Sequence, residues 1–246
     1  MPMTSQGAGE AASVKALLFD VFGTVVDWRT SIAREGAAFG RENGIEGVDW
    51  TAFADAWRGL YQPTLEKVRR GEMAWRVLDE LHRMSLDRLL AEYRVKGVPE
   101  AAVERFSRAW HRLDPWPDAV HGLARLKRKY IIATCSNGNV SLMVELAKWG
   151  GLPWDMILGA ELARHYKPCP EAYLKSVAFL RLSPAECVMV AAHNSDLKAA
   201  STSGLGTAFV PRPREYGPAG KPDLVPAQAW DFVAKDFEAL ADQLGC

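Results

Sequence analysis

The chain has 246 residues, of which 48% are hydrophobic and 24% are charged. This is an ordinary globular composition, and it excludes collagen-like and low-complexity proteins. Thirty basic and thirty acidic side chains give a formal net charge of zero, so no binding surface for nucleic acid or an anionic membrane is expected.

The first fourteen residues, MPMTSQGAGEAASV, are small or polar and lack the basic start and apolar segment of a secretory signal. We predict a disordered tail over residues 1–14. The four cysteines, Cys135, Cys169, Cys187 and Cys246, are widely spaced, which argues against a disulfide framework or a zinc site. Reduced thiols, and the lack of an apolar run of about 18 residues, predict a cytoplasmic protein without a membrane partner.

Apolar runs bounded by turn residues predict five short strands. They are Ala16–Phe19, Tyr130–Thr134, Met156–Leu158, Cys187–Ala191 and Thr207–Val210. Helical patterns such as Val140–Lys148 and Glu171–Phe179 separate the later strands, and Pro211–Pro226 predicts a loop before a final helix near Asp236–Leu244. Apolar strands that alternate with helices are typical of an α/β fold with a parallel sheet covered on both faces.

The interval from about Ser31 to His111 interrupts this alternation, because it contains no convincing strand. Amphipathic patterns predict helices there, for example over Trp50–Tyr61 and Met73–Tyr93. We therefore predict a catalytic core formed by residues 15–30 and 112–246, with residues 31–111 inserted as a helical cap that resembles a lid.

Polar residues follow the predicted strands at the points where their apolar runs end. Asp20 follows the first strand, and the Thr24 hydroxyl can turn back towards it. Ser136 and Asn137 follow the second strand, and Asp196 comes soon after the fourth. Because the carboxyl ends of parallel strands meet at one edge of a sheet, these groups are expected to lie together there. Lys167, fixed by two nearby prolines, could bring its ammonium group to Asp20.

In this order, Asp20-x-x-x-Thr24, Ser136-Asn137, Lys167-Pro168 and Asp196 resemble the four motifs of the haloacid dehalogenase superfamily. The match runs from about residue 15 to residue 217, nearly the whole chain. Within the superfamily the sequence is similar to the type II 2-haloacid dehalogenases. The resemblance implies a Rossmann-like parallel sheet core with an inserted helical cap.

Two positions separate this interpretation from the phosphatases of the same superfamily. The phosphatases carry an aspartate as general acid where this chain has Phe22, which has no proton to transfer. They also carry an acidic magnesium ligand where this chain has Ala192, and a hard cation prefers several oxygen ligands. We therefore expect neither a metal nor another cofactor.

The resemblance implies that the Asp20 carboxylate displaces halide from a short 2-haloalkanoic acid and forms an ester, which water then cleaves to a 2-hydroxy acid. Asp196 is implied as the base for that water, with help from Lys167. Thr24 is expected to orient the nucleophile, and the nearby ammonium group of Lys167 is expected to keep it ionised.

Three further groups of residues are implied around the substrate. Its carboxylate is expected at Ser136 and the backbone N–H groups of Val21 and Phe22. The halide is expected at Arg58, Asn137 and His193, and the pocket is expected to include Tyr173, Trp57 and Ser195. His193 and Ser195 stand where better-known relatives have asparagine and an aromatic residue. A smaller, more polar site of this kind resembles the subgroup that accepts fluoroacetate.

Two other functions stay open at this point. One is a magnesium-dependent phosphatase of the same superfamily, which would be inactivated by EDTA. The other is a non-catalytic relative that keeps the fold, for which Asp20→Asn would change nothing measurable. The partner expected for the leading hypothesis is a small 2-haloacid, and the apolar surface of the cap makes a homodimer plausible.

Overall fold

The computed structural model describes residues 14–218 and 220–246. The predicted disordered tail, residues 1–14, lies outside the described residues except at its last position. No helix in these two ranges combines the length and the apolar character needed to cross a membrane.

The described residues form seven strands, and five of them build one parallel sheet in the order β4-β1-β5-β6-β7. The strands are β1 (Ala16–Phe19), β2 (Val26–Asp27), β3 (Asp114–Pro115), β4 (Ile131–Thr134), β5 (Cys187–Ala191), β6 (Gly206–Phe209) and β7 (Phe232–Val233). The predicted α/β fold with a parallel sheet is confirmed, and the bounds predicted for β1 and β5 are the observed ones.

Ten α-helices are found in the same part of the chain. They are α1 (Trp28–Glu42), α2 (Trp50–Arg69), α3 (Leu78–Glu92), α4 (Glu100–Ser107), α5 (Ala119–Lys127), α6 (Val140–Gly150), α7 (Ala160–Ala163), α8 (Pro170–Phe179), α9 (Asn194–Thr202) and α10 (Phe237–Gln243).

Strand β1 lies inside the sheet, between β4 and β5, and both of its faces are buried. Leu17 and Phe19 belong to a large apolar cluster that continues into the helices of the cap, whereas Ala16 and Leu18 belong to a second cluster on the opposite face. This arrangement explains why the strand has no polar alternation, since successive side chains point to opposite faces of a sheet.

Helices α1 to α4 follow one another between β2 and β3 and form the cap. Strands β2 and β3 pair antiparallel, with Asp27 opposite Asp114, so the two connections between the cap and the sheet lie side by side. The exact boundaries predicted for the cap, residues 31 and 111, stay a prediction.

The prediction of a strand at Met156–Leu158 is wrong in detail. This segment makes one isolated bridge to the edge strand β4, between Met156 and Ala133. The reason is that the Thr134 hydroxyl accepts from the N–H of Leu158 at 2.9 Å and donates to its carbonyl at 2.7 Å, so a side chain takes the place of ladder bonds.

Two predicted helix ends also differ. Helix α2 continues past Tyr61 to Arg69, where Glu66 pairs with Arg69 and Arg70 one turn away and stabilises the added turns. Helix α3 begins at Leu78 and not at Met73, because the N–H of Met73 donates back to the carbonyl of Lys67 at the end of α2.

Candidate active site

Asp20 comes directly after β1, at the carboxyl edge of the sheet, and the chain turns sharply behind it. Gly23 has a φ of +86°, and a Cβ atom at this position would collide with the carboxylate of Glu215. Glycine meets both requirements, since it adopts positive φ without strain and leaves room for the carboxylate. The turn brings Thr24 back so that its hydroxyl donates to Asp20 Oδ2 at 2.7 Å and accepts from the N–H of Ala192 at 2.9 Å.

Three side chains donate hydrogen bonds to the buried Asp20 carboxylate. Besides Thr24, these are Lys167, whose Nζ lies 2.9 Å from Oδ1, and His193, whose Nδ1 lies 3.0 Å from Oδ2. Burial alone would raise the pKa of Asp20, but the charge of Lys167 and the bonds from His193 and Thr24 outweigh it and hold this pKa well below its usual range. Asp20 is therefore ionised at neutral pH.

Asp196, in the first turn of α9, lies on the other side of the same ammonium group. Lys167 Nζ is 2.5 Å from Asp196 Oδ2, and the hydroxyl of Tyr173 donates to Oδ1 at 2.5 Å. Burial raises the pKa of Asp196, and the neighbouring Asp20 charge adds to the rise. Burial opposes the charge on Lys167, but the two carboxylates raise its pKa above the usual value, so it stays protonated.

His193 links Asp20 to a third carboxylate. Its Nε2 lies 3.0 Å from Oε2 of Glu215. Glu215 is buried, and its Oε1 accepts from Trp28 Nε1 at 3.2 Å. Burial lowers the pKa of His193, but Glu215 and Asp20 raise it to about 10, so the ring is a cation at neutral pH. Both ring nitrogens already have carboxylate partners, which leaves no ring N–H for the halide contact predicted from the sequence.

A cavity of about 850 Å³ opens onto these groups between the sheet edge and the cap. Nine of the predicted site residues line it, namely Asp20, Phe22, Arg58, Asn137, Lys167, Tyr173, His193, Ser195 and Asp196. The structure thus brings together residues from loops of the core, from the core helices α8 and α9, and from helix α2 of the cap.

Four other predicted residues do not line the cavity. Thr24 lies behind Asp20, and Val21 and Ser136 are fully buried, with Ser136 Oγ accepting from the N–H of Gly138 at 3.0 Å. Trp57 is a correction to the predicted pocket. Its ring packs in the core of the cap, and its Nε1 donates to the carbonyl of His82 at 3.2 Å.

The cap contributes Arg58 and Tyr61, one turn apart on α2. The guanidinium carbon of Arg58 lies 4.3 Å from the ring centre of Tyr61 and 5.5 Å from that of Trp28. Arg58 Nη1 is buried and has no hydrogen-bond partner among the described residues. An unpaired guanidinium N–H next to a cavity is a donor suited to an anion.

Glu215 and Tyr61, which contact His193 and Arg58, are not predicted from the sequence. Glu215 follows β6 in a loop, and the rule that reactive groups lie after parallel strands could have found it. Tyr61 carries no comparable signal, because an aromatic residue on an amphipathic helix is most often a packing residue.

Comparisons with known proteins agree with this geometry. A model of haloacid dehalogenase-like hydrolases matches residues 14–204. The solved structure of a defluorinating L-2-haloacid dehalogenase is 46% identical, covers 95% of this chain and 96% of its own, and superposes with a TM-score of 0.92. A second solved L-2-haloacid dehalogenase is also 46% identical, covers 95% of this chain and 99% of its own, and has a TM-score of 0.91.

A curated relative, the (S)-2-haloacid dehalogenase 4A of Burkholderia cepacia, is 28% identical over 240 residues, which cover 93% of this chain and 99% of the relative. The match of the family model over most of the chain and the two relatives at 46% identity lead to one conclusion. The chain belongs to the haloacid dehalogenase-like hydrolase family.

Proposed function

We propose that this hydrolase releases halide from short 2-haloalkanoic acids and yields 2-hydroxy acids, with Asp20 as the nucleophile. One observation carries the proposal. The Asp20 carboxylate is kept ionised by Lys167, His193 and Thr24 at the wall of a cavity that also holds an unpaired arginine donor. The relatives at 46% identity, which are named as L-2-haloacid dehalogenases, support the same substrate class.

In the first step an Asp20 oxygen attacks the halogen-bearing carbon. A carbon–oxygen bond forms, the carbon–halogen bond breaks, and the halide leaves with the electron pair of that bond. No proton is transferred, so the site needs donors for a departing anion and no general acid. Arg58 supplies such a donor from the cap, and the substrate carboxylate is proposed to lie towards the backbone N–H group of Phe22, which lines the cavity.

In the second step water attacks the carbonyl carbon of the Asp20 ester. Asp196 takes one proton of this water and passes it to the leaving oxygen, so that the carbon–oxygen bond of the ester breaks and the hydroxy acid leaves with the original Asp20 oxygen. The second proton of the water is released, and Asp20 returns to its carboxylate form. A raised pKa makes Asp196 a stronger base than an ordinary carboxylate, and its bonds to Lys167 and Tyr173 fix its position.

The alternative, a magnesium-dependent phosphatase, does not fit these side chains. Positions 22 and 192 offer phenylalanine and alanine, so neither a general acid nor a further oxygen ligand is supplied. A non-catalytic role leaves unexplained why a buried lysine is retained between two carboxylates.

A single turnover in H₂¹⁸O tests the proposal. With enzyme in excess over chloroacetate, mass spectrometry is expected to find the heavy oxygen in the Asp20 side chain and not in the released glycolate. Asp20→Asn is expected to abolish chloride release, because the amide is a poor nucleophile. Label found only in the glycolate would show direct attack of water on the substrate and would refute the covalent scheme.

Location in the cytoplasm and assembly as a homodimer stay predictions from the sequence. Size-exclusion chromatography with light scattering tests the second directly.

A further inference from the structure

Tyr61 lies where the cap meets the cavity. Its side chain is only 7% exposed, yet it lines the same cavity as Asp20, and its ring lies against the guanidinium group of Arg58. The sequence pattern assigns it no role, and the two reaction steps do not use it.

The orientation of Asn137 determines what the Tyr61 hydroxyl can do. The backbone N–H of Lys167 donates to Asn137 Oδ1 at 2.8 Å, which identifies that atom as the oxygen of the amide. The amide nitrogen of Asn137 therefore faces Tyr61, and it donates to the hydroxyl at 3.0 Å. An amide nitrogen cannot accept a hydrogen bond, so the proton of the Tyr61 hydroxyl must point elsewhere.

No acceptor for this proton is found among residues 14–218 and 220–246. The same holds for Arg58 Nη1, three residues away on α2. Burial raises the pKa of Tyr61, so the hydroxyl keeps its proton over the working range of the enzyme. Two buried donors without acceptors, side by side at one cavity, indicate an anion or other acceptor that arrives with the ligand.

We propose that the Tyr61 hydroxyl donates a hydrogen bond to the departing halide, together with Arg58, and thereby determines which halogen the enzyme releases well. This inference rests on the proposed function. The electron pair of the broken carbon–halogen bond stays on the halide, and Tyr61 keeps its proton throughout. A small halide is approached more closely by a donor and gains more from it, so the hydroxyl favours fluoride over chloride and chloride over bromide.

Tyr61→Phe tests the inference because it removes the hydroxyl and keeps the ring against Arg58. Halide release is measured from fluoroacetate, chloroacetate and bromoacetate. We expect kcat/KM for chloroacetate to fall roughly tenfold, the loss for bromoacetate to stay below about threefold, and any fluoride release to suffer most. Tyr93→Phe is the matched control, since it removes a hydroxyl from the same cap at a residue that packs against Phe53, away from the cavity.

Equal losses for all three substrates would assign the hydroxyl to the substrate carboxylate and would overturn the inference, as would unchanged kinetics. A second measurement is independent of turnover. Chloride is added to the protein and its binding is followed by the change in tryptophan fluorescence, since the ring of Trp28 lies beside Arg58. The Kd for chloride is expected to rise roughly tenfold in Tyr61→Phe and not in Tyr93→Phe. Wild type without halide release would refute the proposed function, whereas equal chloride affinity in wild type and Tyr61→Phe would refute the inference alone.

Discussion

Replacing Glu215 with glutamine removes one charge from the chain of ion pairs that surrounds Asp20. Glutamine keeps an oxygen that can accept from His193 and Trp28, so the change is mainly electrostatic. Glu215 and Asp20 together overcome burial and raise the pKa of His193 from 6.5 to about 10. At about 1.4 kcal/mol for each pKa unit, this rise corresponds to roughly 5 kcal/mol in favour of the charged ring. Glu215 is the largest of the contributions that raise this pKa, and its loss is expected to remove on the order of 2 kcal/mol of that preference.

The sign of the pH dependence follows from the direction of this shift. A group whose pKa is raised on folding contributes stability that is fully present below its unfolded value, here 6.5, and is lost as the pH rises towards about 10. We therefore expect Glu215→Gln to unfold with a free energy about 2 kcal/mol lower than wild type near neutral pH. The difference should shrink as the pH rises through about 10, because above this value His193 is neutral in both proteins.

Urea unfolding across this pH range measures the free energies, and NMR of the ring nitrogens follows the titration of His193. Glu238→Gln is the control, because Glu238 faces His121 Nδ1 at 3.1 Å on the exposed surface, where the pair should contribute little. The reasoning fails if His193 titrates near 6.5 in wild type, or if the loss of stability in Glu215→Gln does not change between neutral pH and pH 10.

Two further substitutions separate reaction chemistry from packing. Lys167→Met is expected to lower kcat/KM for chloroacetate at least tenfold, roughly 1.4 kcal/mol in the barrier. It should also move the acid limb of the pH–rate profile to higher pH, since Lys167 holds the pKa of Asp20 down; an unmoved limb would contradict that role. Trp57→Ala is expected to cost about 3–5 kcal/mol of stability because it empties part of the cap core. The folded fraction of this variant should keep near-normal activity. A loss of activity without a loss of stability would show that Trp57 lines the substrate pocket.

The sequence by itself determined the parallel sheet and the polar residues that lie at the carboxyl ends of its strands. Runs such as Ala16–Phe19 and Cys187–Ala191 are apolar at every position because both faces of the central strands are buried. The segment that follows each such run begins at the same edge of a parallel sheet, so the chain order alone places Asp20 and Asp196 near each other. These are consequences of local pattern and topology.

Only the tertiary structure decided which cap and loop residues complete the site. Trp57, Arg58 and Tyr61 lie on the same helix, and the sequence pattern does not say which of them faces the cavity and which packs inside the cap. The contact between His193 and Glu215 joins residues from two different loops, and its strength depends on burial. Helix rotation, loop path and desolvation are set by packing over the whole chain, which local sequence patterns do not encode.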